Sequence, residues 1–80
     1  MNAPIGLTRE ERRALVILAG LPNGCTEGAL RANGFALEML GVLIHAGLAV
    51  AKPDNMKAGR QTITVVRLRI TEAGRRALAL

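Results

Sequence analysis

The stretch FALEMLGVLIHA, from Phe35 to Ala46, is the longest apolar segment of this 80-residue chain and stands between two glycines. Successive residues of a helix are about 100° apart, so an apolar face here predicts a helix from Phe35 or Ala36 to Ala46. Gly34 and Gly47 are expected to bound it, because glycine suits the left-handed backbone at helix ends. The predicted inward face consists of Leu37, Leu40, Leu43 and Ile44, with Met39 at its margin. The opposite face consists of Glu38, Gly41, Val42 and His45.

The length and composition of the chain predict one small globular domain. Half of the residues are hydrophobic, yet Phe35 is the only aromatic residue, so the core must be built from aliphatic side chains. We expect an N-terminal tail over residues 1–7 and a single domain over residues 8–80. A single cysteine, Cys25, cannot form an internal disulfide, which is typical of a reducing compartment.

Two helices are predicted before the apolar stretch. Thr8 and Glu11 have the spacing of a capping box, which starts a helix that runs to about Ala19. Its predicted inward residues are Ala14, Leu15, Ile17 and Leu18. Thr26 is placed to cap a second, short helix over Glu27 to Ala32, with Leu30 as its main inward anchor.

A hairpin and a last helix are predicted after the apolar stretch. Leu48 to Ala51 is a short strand candidate, and Thr62 to Ile70 is rich in β-branched residues and alternates like a strand. Pro53 to Gln61 contains Pro, Asp, Asn and Gly, which favours a loop. Thr71 is placed to cap a helix from Glu72 to about Leu80. The predicted class is therefore α+β, with three N-terminal helices, a two-stranded antiparallel hairpin and a C-terminal helix.

The net charge of +5 comes from the C-terminal part of the chain. Residues 1–50 contain four basic and four acidic residues, whereas residues 51–80 contain seven basic and two acidic residues. A basic surface of this kind indicates a polyanionic partner, although ordinary solubilising charge is the alternative.

Two segments carry a resemblance to a known superfamily. Residues 43–50, LIHAGLAV, look like a recognition helix that runs into a first wing strand. Residues 68–78, LRITEAGRRAL, look like a second wing strand that enters the next helix. With the order of elements, these segments resemble the winged helix-turn-helix superfamily, in particular small bacterial regulators of the multiple-antibiotic-resistance-regulator type. The chain differs from these regulators in that its 34–47 segment is about one turn shorter, and in that it has little of the flanking helices with which they dimerise.

The resemblance implies a cytoplasmic, homodimeric regulator or accessory factor that binds double-stranded DNA. The family's third helix enters the major groove, which here gives Glu38 and His45 as the groove contacts. None of the outward side chains of that helix is a good base reader, so we expect mainly phosphate contacts from a basic wing. The expected wing contacts are Lys52, Lys57 and Arg60, which bracket the predicted loop tip, and Arg67 and Arg69, which extend the basic strip along one strand face. The alternative for these charges is a solvated hairpin that resists edge-to-edge aggregation.

Other function classes have little support in the sequence. One histidine and one cysteine cannot supply the usual ligands of a zinc site, and His45 is expected to be an ordinary surface residue. No nucleophile stands beside a base and no glycine-rich phosphate loop follows a strand, so we expect a non-enzyme without cofactor or small-molecule ligand. The apolar stretch contains Glu38 and His45 and is too short for a membrane span. A protein-interaction or dimerisation winged helix, which would use Val42, Ile63 and Val65, is the alternative function.

Overall fold

The computed structural model describes residues 6–79 and confirms the α+β class. The elements are α1 (Arg9–Ala19), β1 (Cys25–Thr26), α2 (Glu27–Ala32), α3 (Leu37–His45), β2 (Ala49–Ala58), β3 (Gln61–Ile70) and α4 (Glu72–Leu78). The three strands form one antiparallel sheet in the order β1-β3-β2. Of the predicted tail, residues 1–5 lie outside the described part, and Leu7 packs against the core. Leu80, the expected end of the last helix, also lies outside it.

The capping box predicted for α1 is confirmed. The Glu11 amide donates to Thr8 Oγ1 at 3.1 Å, and the Thr8 amide donates to Glu11 Oε1 at 2.9 Å. These two bonds satisfy amides that have no partner within the first turn. The start of α1 is therefore determined by residues four positions apart at most, which explains why the sequence alone predicts it.

The two glycines that bound the apolar stretch both end helices in Schellman motifs. Gly47, with φ +78°, donates to the Ile44 carbonyl at 3.0 Å, and the Leu48 amide donates to the Leu43 carbonyl at 2.9 Å. Gly34, with φ +96°, repeats the pattern through Arg31, Leu30 and Phe35. A left-handed residue after the cap is what this motif requires. The predicted helix ends at Asn33–Gly34 and Gly47 are therefore confirmed.

The α3 helix is shorter than predicted and buries a narrower face. Phe35 precedes it but is buried, at 2% exposure, and Leu40 and Leu43 are buried within it. The inward placement of Leu37 and Ile44 was wrong, since they are 51% and 37% exposed. Nearly every residue of α3 is apolar, so the hydropathy pattern cannot show which of them are buried. The packing of α1 and β2 against the helix determines the buried strip.

The predicted loop from Pro53 to Gln61 was wrong. In the structure β2 continues to Ala58, and an unbroken register links Ala49↔Ile70 at one end to Ala58↔Gln61 at the other. The two residues between the strands are Gly59, with φ +66°, and Arg60, as in a type II′ turn. Pro53 is tolerated because β2 is an edge strand, on which alternate amides point away from the sheet and need no strand partner.

The expected two-stranded sheet was also wrong, because β1 adds a third strand. Cys25 pairs with Leu68 and Thr26 pairs with Arg67. A strand of two residues has no readable alternation, and its pairing depends on residues about forty positions away. Thr26 also caps α2, as predicted, by accepting from the Ala29 amide at 3.1 Å.

The core lies where the helices cover the base of the hairpin. The buried hydrophobic residues are Ala14, Leu15, Leu18, Leu30, Phe35, Leu40, Leu43, Ala49 and Leu68. No residue from Lys52 to Val66 is buried, and we call this part of the hairpin the arm. The principal extents of 53 × 21 × 19 Å describe an elongated molecule.

Candidate nucleic-acid interface

At the base of the hairpin, one face packs against the helices and the other face does not. Residues directly opposite each other in an antiparallel pair project to the same side of the sheet. The Ala49–Ile70 and Ala51–Leu68 pairs pack towards the helices. The Val50–Arg69 and Lys52–Arg67 pairs therefore lie on the other side, which we call the outer face. The alternation predicted for β3, with Leu68 and Ile70 inward and Arg67 and Arg69 outward, agrees with this arrangement.

A basic cleft of about 400 Å³ lies on the outer face. It is lined by Asn23, Lys52, Pro53, Asp54, Arg67 and Arg69. Arg69 is positioned from outside the hairpin, since its Nη2 donates to the Pro22 carbonyl at 3.2 Å. The turn between α1 and β1 therefore forms one wall of the cleft.

One carboxylate offsets part of the charge of the basic cleft. Arg67 Nε donates to Asp54 Oδ2 at 2.8 Å across the hairpin, on the diagonal, since Asp54 is directly opposite Val65, two residues before Arg67. The Arg67 side chain is 26% exposed and that of Asp54 is 47% exposed, so water screens this ion pair. Lys52 takes part in none of the ion pairs found among residues 6–79. Three cations and one carboxylate leave the cleft net positive.

The remaining basic residues expected to contact DNA lie near the end of the arm. Lys57 is opposite Thr62 and projects to the side away from the outer face, while Arg60 lies in the turn. Five residues of strand separate Lys57 from Lys52, which is roughly 17 Å. The expectation that Lys52, Lys57 and Arg60 bracket one loop tip was therefore wrong. They form two groups, one at the base of the arm and one at its end.

The exposed surface of α3 is a third, separate region. Glu38, Gly41, Val42 and His45 are exposed, as the sequence predicted. Leu37 and Ile44 join them, which makes this surface more apolar than expected. Neither Glu38 nor His45 lines the basic cleft. The structure thus brings together Lys52, Arg67 and Arg69 but not the other residues expected to contact DNA.

Sequence reasoning missed the contribution of residues 22, 23 and 54 to the cleft. Asn23 lies in a turn that was predicted, but only the tertiary structure places that turn beside β2 and β3. The pairing of Asp54 with Arg67 follows from the register of a strand that was predicted to be a loop. A reading of residues 53–58 as strand would have placed Asp54 beside Arg67.

Between residues 6 and 79, no cluster of three or more His, Cys, Asp and Glu side chains is arranged to hold a metal ion. In the same range, none of the helices has the length and apolar character needed to traverse a lipid bilayer.

Comparison of the chain with models of known protein families, with curated proteins and with solved structures gave no match.

Proposed function

We propose that this chain is a winged helix-turn-helix domain that binds double-stranded DNA mainly through its phosphates. In this assignment α2 and α3 form the helix-turn-helix pair, the β2–β3 hairpin is the wing, and α4 closes the domain. The protein acts as a homodimeric transcriptional regulator or accessory factor. Support comes from the element order and from the two segments that resemble the superfamily, which meet where Leu48 contacts Thr71.

The basic cleft is the main observation that supports the proposed DNA binding. Lys52, Arg67 and Arg69 converge there from two strands, with Asp54 as the only acidic residue in its lining. A guanidinium group presents several donors in a fixed plane and suits phosphate oxygens. Contacts of this type provide affinity without sequence information, because every nucleotide carries the same phosphate.

The exposed surface of α3 supports weak rather than strong sequence preference. Side chains that discriminate base pairs offer paired donors and acceptors, as Arg, Asn and Gln do. Apart from Glu38 and His45, this surface offers apolar side chains or glycine. We therefore expect affinities for unrelated duplexes to lie close together, with α3 in limited contact with the groove.

A titration of labelled duplex DNA tests the proposal. A random-sequence duplex and several unrelated fixed duplexes are titrated by fluorescence anisotropy at low and at physiological salt. We expect binding at low salt, a linear fall of log K with log salt concentration, and small differences between duplexes. Lack of binding at low salt would contradict the proposal.

The apolar surface of α3 favours a second candidate function, a winged helix that binds another protein. Leu37, Val42 and Ile44 are 51%, 52% and 37% exposed, on a helix of nine residues. At about 100° per residue, Leu37 and Ile44 lie on one margin of the exposed surface of α3 and Val42 lies on the other margin. Exposed apolar side chains on both margins favour a contact surface. A Val42→Arg variant separates the two functions. It should leave phosphate binding unchanged or slightly tighter, whereas a protein contact through α3 would be lost.

A further inference from the structure

The strand β3 has one edge that is only partly covered. In the sheet order β1-β3-β2, β1 pairs with β3 at Arg67 and Leu68 alone. From Gln61 to Val66, β3 pairs with β2 on one side and has no strand partner among the described residues on the other. Alternate backbone N–H and C=O groups of this segment therefore point outward, where another strand could pair with them.

The two edges of the arm differ in composition. The outer strand β2 carries Lys52, Pro53, Asp54 and Lys57, and prolines and charges are common devices that prevent strand pairing. The free segment of β3, QTITVV from Gln61 to Val66, has no charge and no proline. Five of its six residues are β-branched Ile, Val or Thr, and β-branched residues suit a pleated sheet. Only the β3 edge is therefore suited to accept a further strand.

The arm also lacks the support that a hairpin usually needs. None of its residues is buried, and Met56, Ile63 and Val66 are 40%, 44% and 39% exposed. An isolated two-stranded hairpin is marginal in water, and additional strands stabilise it. Met56 lies directly opposite Ile63, so both project to the outer face beyond the basic cleft.

We infer that two copies of this chain pair through the free β3 edges of their arms. Antiparallel pairing of a segment with its own copy obeys two-fold symmetry, so each favourable contact occurs twice. The result is a four-stranded sheet in the order β2-β3-β3-β2. Its central strands are uncharged over the paired residues, and its outer strands carry the prolines and charges.

The position of β1 determines the register of this pairing. Thr26 occupies the edge beside Arg67, so the second copy must end before that position. A two-fold axis at Ile63 gives the longest symmetric pairing that meets this condition. Ile63 then faces Ile63 of the second copy, Thr62 faces its Thr64, and Gln61 faces its Val65. On the outer face, the two Ile63 side chains lie between the two Met56 side chains, which forms an apolar row across the sheet.

The pairing also arranges the two basic clefts. A two-fold axis perpendicular to the sheet keeps both outer faces on the same side. Arg67 is four residues from Ile63, so the two Arg67 residues are roughly 26 Å apart along the strands. If the proposed DNA binding is correct, one duplex can contact both clefts. The strand pairing itself does not depend on DNA binding.

Disulfide trapping tests the register directly. In a Cys25→Ser background, Ile63→Cys places two thiols opposite each other, where antiparallel Cα atoms are about 4.5–5.5 Å apart, within the range of a disulfide. We expect rapid formation of a covalent dimer under mild oxidation. The control is Val16→Cys in the same background, since Val16 is 55% exposed on α1 and distant from the arm in sequence. Equal cross-linking of the two variants would overturn the inference.

Sedimentation equilibrium tests the association without cross-linking. We expect a monomer–dimer equilibrium for the unmodified chain and a monomer for Ile63→Lys, because two like charges would meet at the axis. Val16→Lys makes the same change at an exposed position of α1, away from the arm, and should retain the dimer. A monomeric unmodified chain, or equal effects of the two lysines, would overturn the inference. Loss of DNA binding with an intact dimer would contradict only the proposed function.

Discussion

The hydroxyl of Thr71 donates a hydrogen bond to the carbonyl oxygen of Gly47 at 2.6 Å. The same hydroxyl oxygen accepts from the Gly74 amide at 3.0 Å, and the Thr71 amide donates to the Leu48 carbonyl at 3.1 Å. Gly47 ends α3 and Thr71 starts α4, so one side chain joins the end of one helix to the beginning of another. The two segments that resemble the winged-helix superfamily meet at this junction.

We expect Thr71→Ala to lower the free energy of unfolding by about 1–2 kcal/mol, since it removes a helix cap and a second hydrogen bond. Thr71→Ser keeps the hydroxyl and serves as the control, with a much smaller loss. Urea unfolding of both variants, followed by circular dichroism, measures the difference. Similar losses for alanine and serine would show that the hydroxyl has no role in stability.

Gly74 in α4 and Gly28 in α2 should respond to alanine in opposite directions. A Cβ at Gly74 would overlap the Leu48 carbonyl oxygen and the Ile70 side chain, so we expect Gly74→Ala to destabilise the domain. A Cβ at Gly28 would meet nothing within 4 Å. Gly28→Ala should therefore stabilise by up to about 1 kcal/mol, the helix-propensity difference. Thermal and urea unfolding midpoints provide the measurement. An unchanged or raised stability of Gly74→Ala would contradict the packing described at Gly74, and a destabilised Gly28→Ala would contradict the open space described at Gly28.

Asp54 is expected to weaken DNA binding because its ion pair with Arg67 competes with phosphate for the guanidinium group. Asp54→Asn removes the carboxylate that holds Arg67 Nε at 2.8 Å, and we expect several-fold tighter binding to random duplex DNA at low salt. Stability should change by less than about 1 kcal/mol, since both partners are partly exposed.

The matched control for Asp54→Asn is Glu10→Gln, which removes the same charge from an exposed ion pair with Arg13 on α1. Anisotropy titrations of both variants separate a local effect from an effect of net charge. Equal gains in affinity would mean that the position of the carboxylate is irrelevant and that the basic cleft is not the contact surface.

The two groups of basic residues on the hairpin can be separated by their salt dependence. Each lost phosphate contact should reduce the slope of log K against log salt by about 1. We expect Lys52→Gln with Arg69→Gln, in the basic cleft, to lower the slope by about 2. Lys57→Ala with Arg60→Ala should produce a comparable loss if the end of the arm also contacts the backbone. An unchanged slope in either double variant would remove that group from the interface.

Most features that were predicted correctly depend on interactions within a few residues of the chain. The capping box of Thr8 and Glu11, the Thr26 and Thr71 caps, and the glycines at 34 and 47 act within five residues of chain, so they can be recognised without tertiary information. The alternation of β3 likewise predicted that Arg67 and Arg69 lie on the face away from Leu68. The basic residues of the candidate site were therefore identified from the sequence.

Three features depend on tertiary contacts that these local patterns do not specify. Local composition made Pro53 to Gln61 a loop, yet pairing with β3 makes it an edge strand and places Asp54 beside Arg67. The two-residue strand β1 exists only because Leu68 and Arg67 lie alongside it. Periodicity within α3 placed Leu37 and Ile44 in the core, but α1 and β2 cover only the strip around Leu40 and Leu43.

The helices, the helix ends marked by a cap or a glycine, and the basic character of the hairpin can thus be predicted from the sequence, since hydrogen bonds and charges within a few residues specify them. The length of the arm, the third strand and the grouping of Lys52, Arg67 and Arg69 into one cleft arise only when the chain folds. These features arise from contacts between residues that are up to 47 positions apart, and such contacts depend on packing and strand register rather than on local preference.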